Sequence, residues 1–274
     1  MPELPEVETV RRTLLPRLKG RRIEGVRVRE TRLRSTLDPR RLRRHVTGRR
    51  IEDVTRRAKY LILHLEDERR LLVHLGMTGR LLLVESDAPL GDHLHVCFRL
   101  DGGLDLRYRD HRRFGLIDCL LDAELATDRR LATLGPEPLS PGCDGAYLHA
   151  RSRASRKPVK SFLMDARHIV GVGNIYASEA LFLARIDPRR PAGRLSRASW
   201  DRVSGAVKQV LEDAIRQGGT TLADFRDANG DHGWFQVRLR VYDRAGAACA
   251  ACGRAIRRVV LAGRSTFFCP RCQR

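Results

Sequence analysis

The residues most able to do chemistry open the chain: Met1-Pro2-Glu3-Leu4-Pro5-Glu6. Removal of the initiator Met, a common step when the second residue is small, would leave Pro2 with a secondary amine at the terminus. An α-amino group titrates near ~8, against ~10.4 for a lysine, so a useful fraction is a neutral nucleophile at cellular pH. Such amines form Schiff bases with carbonyl carbons. The carboxylates of Glu3 and Glu6 lie close enough in sequence to move protons for it. The same residues also make an ordinary helix start. Pro5 suits a first turn, and Glu6 and Glu8 suit the positive end of a helix dipole.

A second signal closes the chain: Cys249-x2-Cys252-x16-Cys269-x2-Cys272. Two CxxC pairs at this separation can complete a tetrahedral site of four thiolates for one Zn2+. The segment between them alternates at Ile256, Val259 and Leu261 and carries Gly263, as a β-hairpin between two knuckles would. So short a segment has little core, and the metal should supply much of its folding energy. No open ligand position is apparent, so the zinc is expected to be structural. Cys97, Cys119 and Cys143 are scattered. An odd total of seven, without a signal peptide, fits packed thiols in a reducing, cytoplasmic setting rather than a disulfide framework. The histidines show no metal-like spacing beyond the alternation of His93 and His95.

Weaker signals lie between these ends. Gly171-Val172-Gly173-Asn174 can bring backbone close to a phosphate at the start of a helix, although on its own Gly-x-Gly is a weak signal and helix–helix packing is its more ordinary reason. Lys160 can add a point charge to the same phosphate. His111-Arg112-Arg113-Phe114-Gly115 reads as a loop whose arginines can meet base edges and whose ring can wedge between base steps. Met77, in a Gly-flanked turn, can fill a gap in a base stack, or simply a gap in a core. Lys59 opens an apolar strand and can reach a phosphate or protonate a leaving group. Arg264, beside the expected hairpin tip, can meet another phosphate. Each of these charges could equally be solvated surface.

Several elements must position these groups. Val7, Val10, Leu14 and Leu18 recur at helical spacing, with Pro16 expected to kink the helix or end it early. From Ile23 to about Leu121 the pattern has period two, with Asp101-Gly102-Gly103 as a hairpin turn. This predicts an antiparallel β domain of two packed sheets with the first helix docked on it. The basic run Arg40–Arg44 reads as a solvated face. Turn formers from Leu134 to Gly142 mark a linker. Helices follow, one over 175–184 and a longer one capped by Ser199 and closed by Gly218-Gly219. The expected division is 1–134, a linker over 135–150, a helical domain over 151–235 and a zinc finger over 236–274. Net charge is +20, and 48 of the 53 basic residues are arginine. Such an excess points to a polyanionic partner, most often nucleic acid. No run of about 18 apolar residues is present to span a membrane.

Taken in order, MPELPEVET, RRAKYL, HLGMTG, RRFG, LGPEPL, VGVGNIYASE, GGTTL and GRSTFFCPRCQ resemble the bacterial formamidopyrimidine-DNA glycosylases along essentially the whole chain. The resemblance implies an α+β protein with an N-terminal antiparallel β-sandwich flanked by helices. It also implies a helix–two-turns–helix domain carrying the zinc-finger hairpin. The implied activity is that of a monomeric bifunctional glycosylase and lyase, removing oxidised purines from double-stranded DNA. Pro2 would attack C1′ of the damaged nucleotide, Glu3 would protonate the opening sugar or shuttle protons, and Glu6 would support the terminus. Lys59 would contact the lesion phosphate or act as an acid. Met77, Arg112 and Phe114 would occupy the gap left by base flipping, Arg112 facing the estranged base. Lys160, Asn174 and Arg264 would grip phosphates. The loop after Gly218 would close over the extruded base.

The sister branch acting on oxidised pyrimidines shares the proline chemistry. It usually has glycine where Leu4 stands, so Leu4 and the RRFG loop favour the purine branch. There are departures from the family pattern. His111 stands where proline is common and suggests a less rigid loop. Asp243 replaces a common glycine, and Trp234 replaces a common tyrosine.

Overall fold

The structure, a computed structural model, describes residues 2–220 and 235–274. The described chain forms two compact units. One is Met1–Ala132 joined by the described residues from Gln217; the other is Thr133–Arg216 with Phe235–Arg274.

In the first unit α1 (Leu4–Leu18) carries Pro5 in its first turn and buries Val7, Val10, Leu14 and Leu18. Pro16 does not end it. The helix runs on to Leu18, because a proline in the last turn forgoes only one backbone bond. After β1 (Ile23–Val28), the basic run forms the solvated outer face of a helix, α2 (Pro39–Val46). Asp38 caps α2 by accepting from the amides of Arg40 and Arg41, and Pro39 occupies its first turn. The strands follow: β2 (Ile51–Arg57), β3 (Tyr60–Leu65), β4 (Arg69–His74), β5 (Gly79–Glu85), β6 (Leu94–Leu100), β7 (Leu104–Asp110) and β8 (Leu116–Leu121). Two short helices, α3 (Asp122–Thr127) and α4 (Arg129–Ala132), complete the run.

Two four-stranded sheets result, in the orders β1-β6-β7-β5 and β2-β3-β4-β8, with antiparallel pairing throughout. Alternation explains the layering. Leu81, Leu83, Val96, Phe98, Leu106 and Tyr108 from one sheet share a buried cluster with Leu61, Leu63, Leu71 and Val73 from the other. Ile62, Leu72, Leu116 and Leu120 point the opposite way, into a smaller cluster against which Leu125 and Leu131 pack. Apolar side chains on both faces account for the unbroken Leu61-Ile62-Leu63 run.

In the second unit residues 133–144 are turns and irregular backbone, and α5 (Gly145–Ser152) begins inside the stretch expected to be linker and runs past its end. Then come α6 (Val159–Leu163), α7 (Asn174–Leu183) and α8 (Arg197–Arg216). The cap of α8 is Ser196, whose hydroxyl accepts the Ser199 amide at 3.2 Å, rather than Ser199 itself. Trp200, Phe162, Tyr176, Leu181 and Leu211 fill the core of this unit. The chain ends in the hairpin β9 (Arg257–Leu261) and β10 (Arg264–Phe268). Ile256 and Phe267 of this segment meet Val241 and Phe182 of α7. Among the described residues no helix is long and apolar enough to cross a membrane.

Candidate active site

Pro2 is buried directly before α1. Glu3 and Glu6 are each 2% exposed. One oxygen of Glu6 accepts the Glu3 amide at 2.7 Å, and the other accepts the Thr220 amide at 2.8 Å. A single carboxylate therefore ties the residue after Pro2 to the segment that follows α8. Gly219, at φ +82°, passes so close that a Cβ there would sit 3.1 Å from Glu6 Oε1 and 3.3 Å from its Cα. The residues after Thr220, including the expected base-capping loop and Trp234, lie outside the described residues.

Lys59 lies in the two-residue turn between the paired residues Arg57 and Tyr60, next to Ala58 at φ +54°. α1 reaches this turn through a chain of contacts. Glu8 Oε2 accepts from Arg56 Nε at 3.1 Å, and Arg56 Nη1 donates to the Ala58 carbonyl at 2.8 Å. Burial pushes the Glu8 carboxyl up, but the Arg11 and Arg12 hydrogen bonds and the Arg11 and Arg56 charges overcome this and hold it at about 2. Lys59 is also felt by His74. Burial first, then the charges of Arg34 and Lys59, lower that imidazole to about 4. His74 is thus neutral at neutral pH, and its Nδ1 accepts the Gly76 amide at 2.9 Å at the base of the Met77 turn.

Met77 and the Arg112–Phe114 loop occupy adjoining turns. Phe114 is 46% exposed, a large ring offered to solvent, and the Arg112 guanidinium lies 4.6 Å from its centroid. Arg113, expected beside them as a DNA contact, instead turns to Glu30 at 2.8 Å. The loop in which His111 replaces the common proline is held by several contacts. His111 Nδ1 lies 2.9 Å from His93 Nε2, the Arg113 amide donates to the Asp110 carbonyl at 3.2 Å, and the Gly115 amide donates to Asp110 Oδ2 at 2.8 Å.

In the second unit Asn174 opens α7 after the Gly171 turn, where φ is +77°. Its Oδ1 is buried without a hydrogen-bond partner among the described residues. Arg264 is exposed at the start of β10, beside the turn Ala262-Gly263, whose φ values are +46° and +72°. Lys160 departs from expectation. It is 1% exposed, and its ammonium donates to the Ser265 carbonyl at 3.0 Å and to Thr266 Oγ1 at 2.9 Å. Burial against β10 makes it an anchor of the hairpin that carries Arg264, not a surface phosphate ligand.

The four cysteines converge. Their sulfurs all lie within 4.8 Å of one another, with Cys249–Cys272 at 3.9 Å and Cys252–Cys269 at 3.5 Å. Zinc bound to four thiolates at about 2.3 Å sets sulfur–sulfur edges near about 3.8 Å, so the cage fits that metal. These separations are far beyond a disulfide bond of about 2.05 Å. One zinc held here is structural, since all four corners of the site are protein.

Three further residues, Glu179, Thr78 and Asp110, were not legible in the sequence. Glu179 in α7 is fully buried and accepts the amides of Arg240, Val241 and Tyr242 at 2.9 Å each. That cradle fixes the turn leading into the zinc hairpin. Asp243 just beyond adopts φ +59°, which explains why glycine suits this position and why aspartate can replace it. Thr78 and Asp110 pin the Met77 turn and the Arg112–Phe114 loop. Their only signal was adjacency to the Met77 and Arg112–Phe114 motifs.

Comparison with known proteins agrees along the whole chain. Residues 1–117 match the formamidopyrimidine-DNA glycosylase N-terminal domain, residues 134–226 its H2TH domain, and residues 246–274 the zinc finger found in FPG and IleRS. Formamidopyrimidine-DNA glycosylases of Methylococcus capsulatus and Halorhodospira halophila are 51% and 52% identical, with all of both chains covered. Among solved structures, a mutant of Lactococcus lactis FPG complexed with DNA containing Fapy-dG superposes with a TM-score of 0.93 at 33% identity, all of both chains covered. A MutM complexed with DNA containing carbocyclic 8-oxo-G gives 0.92 at 34% identity, again over all of both chains.

Proposed function

The chain belongs to the formamidopyrimidine-DNA glycosylase family, and from that premise we propose how its own residues carry out the reaction. It is a DNA glycosylase and abasic-site lyase of base excision repair, acting on oxidised purines. The observation that carries the residue assignment is the buried N-terminus, where Pro2 precedes an amide gripped by Glu6.

A base inside the stack is out of reach of that amine, so the nucleotide is first extruded, at a cost of a few kcal/mol. Met77, Arg112 and Phe114 take the vacated space, and Arg112 meets the estranged base, preferably cytosine. Exposure of Phe114 and its stacking under Arg112 suit that wedge. The Pro2 nitrogen, with Met1 removed, attacks C1′. The glycosidic bond breaks with its electron pair on the base, which gains a proton as the Pro2 nitrogen loses one, and the C1′–O4′ bond then opens as Glu3 protonates O4′. The resulting iminium acidifies the C2′ proton, whose loss expels the 3′ phosphate. A second elimination expels the 5′ phosphate and nicks the strand on both sides. Glu6 holds the terminus, and Lys59 neutralises the lesion phosphate from the β2–β3 turn. Asn174 and Arg264 hold neighbouring phosphates; Lys160 supports Arg264 from within. A cytoplasmic setting accords with seven cysteines that form no disulfide.

Trapping with borohydride tests this. A duplex containing 8-oxoguanine opposite cytosine should yield a covalent adduct on the Pro2 nitrogen. An adduct on a lysine would replace Pro2 as the nucleophile.

A further inference from the structure

Asp110 is 0% exposed, yet neutral donors supply the hydrogen bonds to its carboxylate. Oδ1 accepts from Thr78 Oγ1 at 2.5 Å; Oδ2 accepts the Gly115 amide at 2.8 Å and lies 3.3 Å from the Tyr108 hydroxyl. Burying a carboxylate costs several kcal/mol unless hydrogen bonds compensate it. An apolar residue in the same place would avoid that cost, so the carboxylate is retained for what it holds. What it holds is two turns at once. Thr78 follows Met77 directly, and its hydroxyl oxygen also accepts the amide of Arg112 at 3.1 Å. Gly115 follows Phe114 directly.

The two turns touch through their backbones. Gly76 sits at φ +64°, and a Cβ there would lie 2.5 Å from both Gly115 N and the carbonyl carbon of Phe114. A Cβ on Gly115 would lie 2.6 Å from the carbonyl oxygen of His74. The His95 ring completes the mount by meeting the Asp110 carbonyl at 2.7 Å.

We propose that Thr78 and Asp110 form a buried clamp that locks the Met77 turn to the Arg112–Phe114 loop, and that this coupling sets discrimination of the base opposite the lesion. The proposal rests on the assignment of Met77, Arg112 and Phe114 as the residues that fill the gap. Thr78 and Asp110 touch no substrate in this account; they are positioning residues. A rigid pair of turns presents Arg112 to the estranged base at one depth. A loosened pair lets the guanidinium shift and tolerate a wrong partner.

Thr78→Val removes the bridging hydroxyl while keeping the shape, and Thr78→Ser keeps the hydroxyl. The measured quantity is the ratio of kcat/KM for 8-oxoguanine opposite cytosine to that opposite adenine. The control is lyase activity on a single-stranded abasic oligonucleotide, where no opposite base exists. Loss of one hydrogen bond to a charged group predicts that Thr78→Val lowers the ratio about tenfold. Lyase activity should stay within about twofold, Thr78→Ser should restore the ratio, and Asp110→Asn should copy Thr78→Val. An unchanged ratio in Thr78→Val and Asp110→Asn overturns the clamp, as does an equal loss on the single strand. A wild-type protein that cuts neither substrate overturns the assigned activity instead.

Discussion

Glu6 and Thr220 are 214 residues apart, yet the Glu6 carboxylate accepts the Thr220 amide at 2.8 Å. The partner oxygen of that carboxylate holds the amide next to Pro2. The place where the chain returns after α8 is thereby fixed to the segment that carries Pro2.

This linkage predicts that Glu6→Gln loses more than a salt-like contact. An amide can accept only one of the two N–H groups, and its nitrogen would face the other. Two hydrogen bonds to a charged group are weakened, at about 1.5–3 kcal/mol each. Single-turnover base excision should fall at least about tenfold, with duplex binding changed far less. Gly219→Ala should act in the same direction, because its left-handed φ strains any side chain and a methyl group would press on Glu6 from 3.1 Å.

Arg56→Met should slow cleavage without abolishing binding, because it removes a donor that holds the Ala58 carbonyl beside Lys59. Its partner Glu8 makes a pH prediction. The folded carboxyl sits at about 2, below its ordinary 4.5. A depressed carboxylate gives stability that is present above 4.5 and lost as pH falls towards about 2. Chemical denaturation across that window should show a steeper loss in the wild type than in Glu8→Gln.

His74 acts in a higher window. Held at about 4, against an ordinary 6.5, it binds a proton more readily unfolded than folded. Stability should therefore be full above 6.5 and decline as pH falls towards about 4. Protonation also removes the acceptor for the Gly76 amide, loosening the Met77 turn. His74→Asn should flatten the denaturation midpoint over that range; an identical slope in both proteins would count against the assignment.

Much of this was legible because local chemistry and tertiary role coincide. The CxxC pairs need only their spacing to specify a cage, and the alternating strands need only a shared core. α2 was hidden because its outer face is all arginine; the Asp38-Pro39 start was its one signal. Lys160 misled because a lysine's surface reading is the ordinary one, and only the packing of α6 on β10 buries it. Glu179, Asp110 and Thr220 owe their roles to partners far away in the chain, which no window of sequence contains.

Zinc removal should unfold the 249–272 hairpin first, because Cys249 and Cys269 belong to its small core. Chelation should abolish duplex binding through loss of Arg264, and readdition of Zn2+ should restore it. Retained affinity in fully demetallated protein would show that the hairpin folds unaided.

The central claim is that Pro2 is the nucleophile. Borohydride trapping on an 8-oxoguanine duplex, with the cross-linked peptide sequenced by mass spectrometry, reads it directly. The expected result is an adduct on an N-terminal Pro2 lacking Met1, and its absence in Pro2→Gly protein that still binds the duplex within about tenfold. An adduct mapped elsewhere, or unchanged strand cleavage by Pro2→Gly, would contradict it.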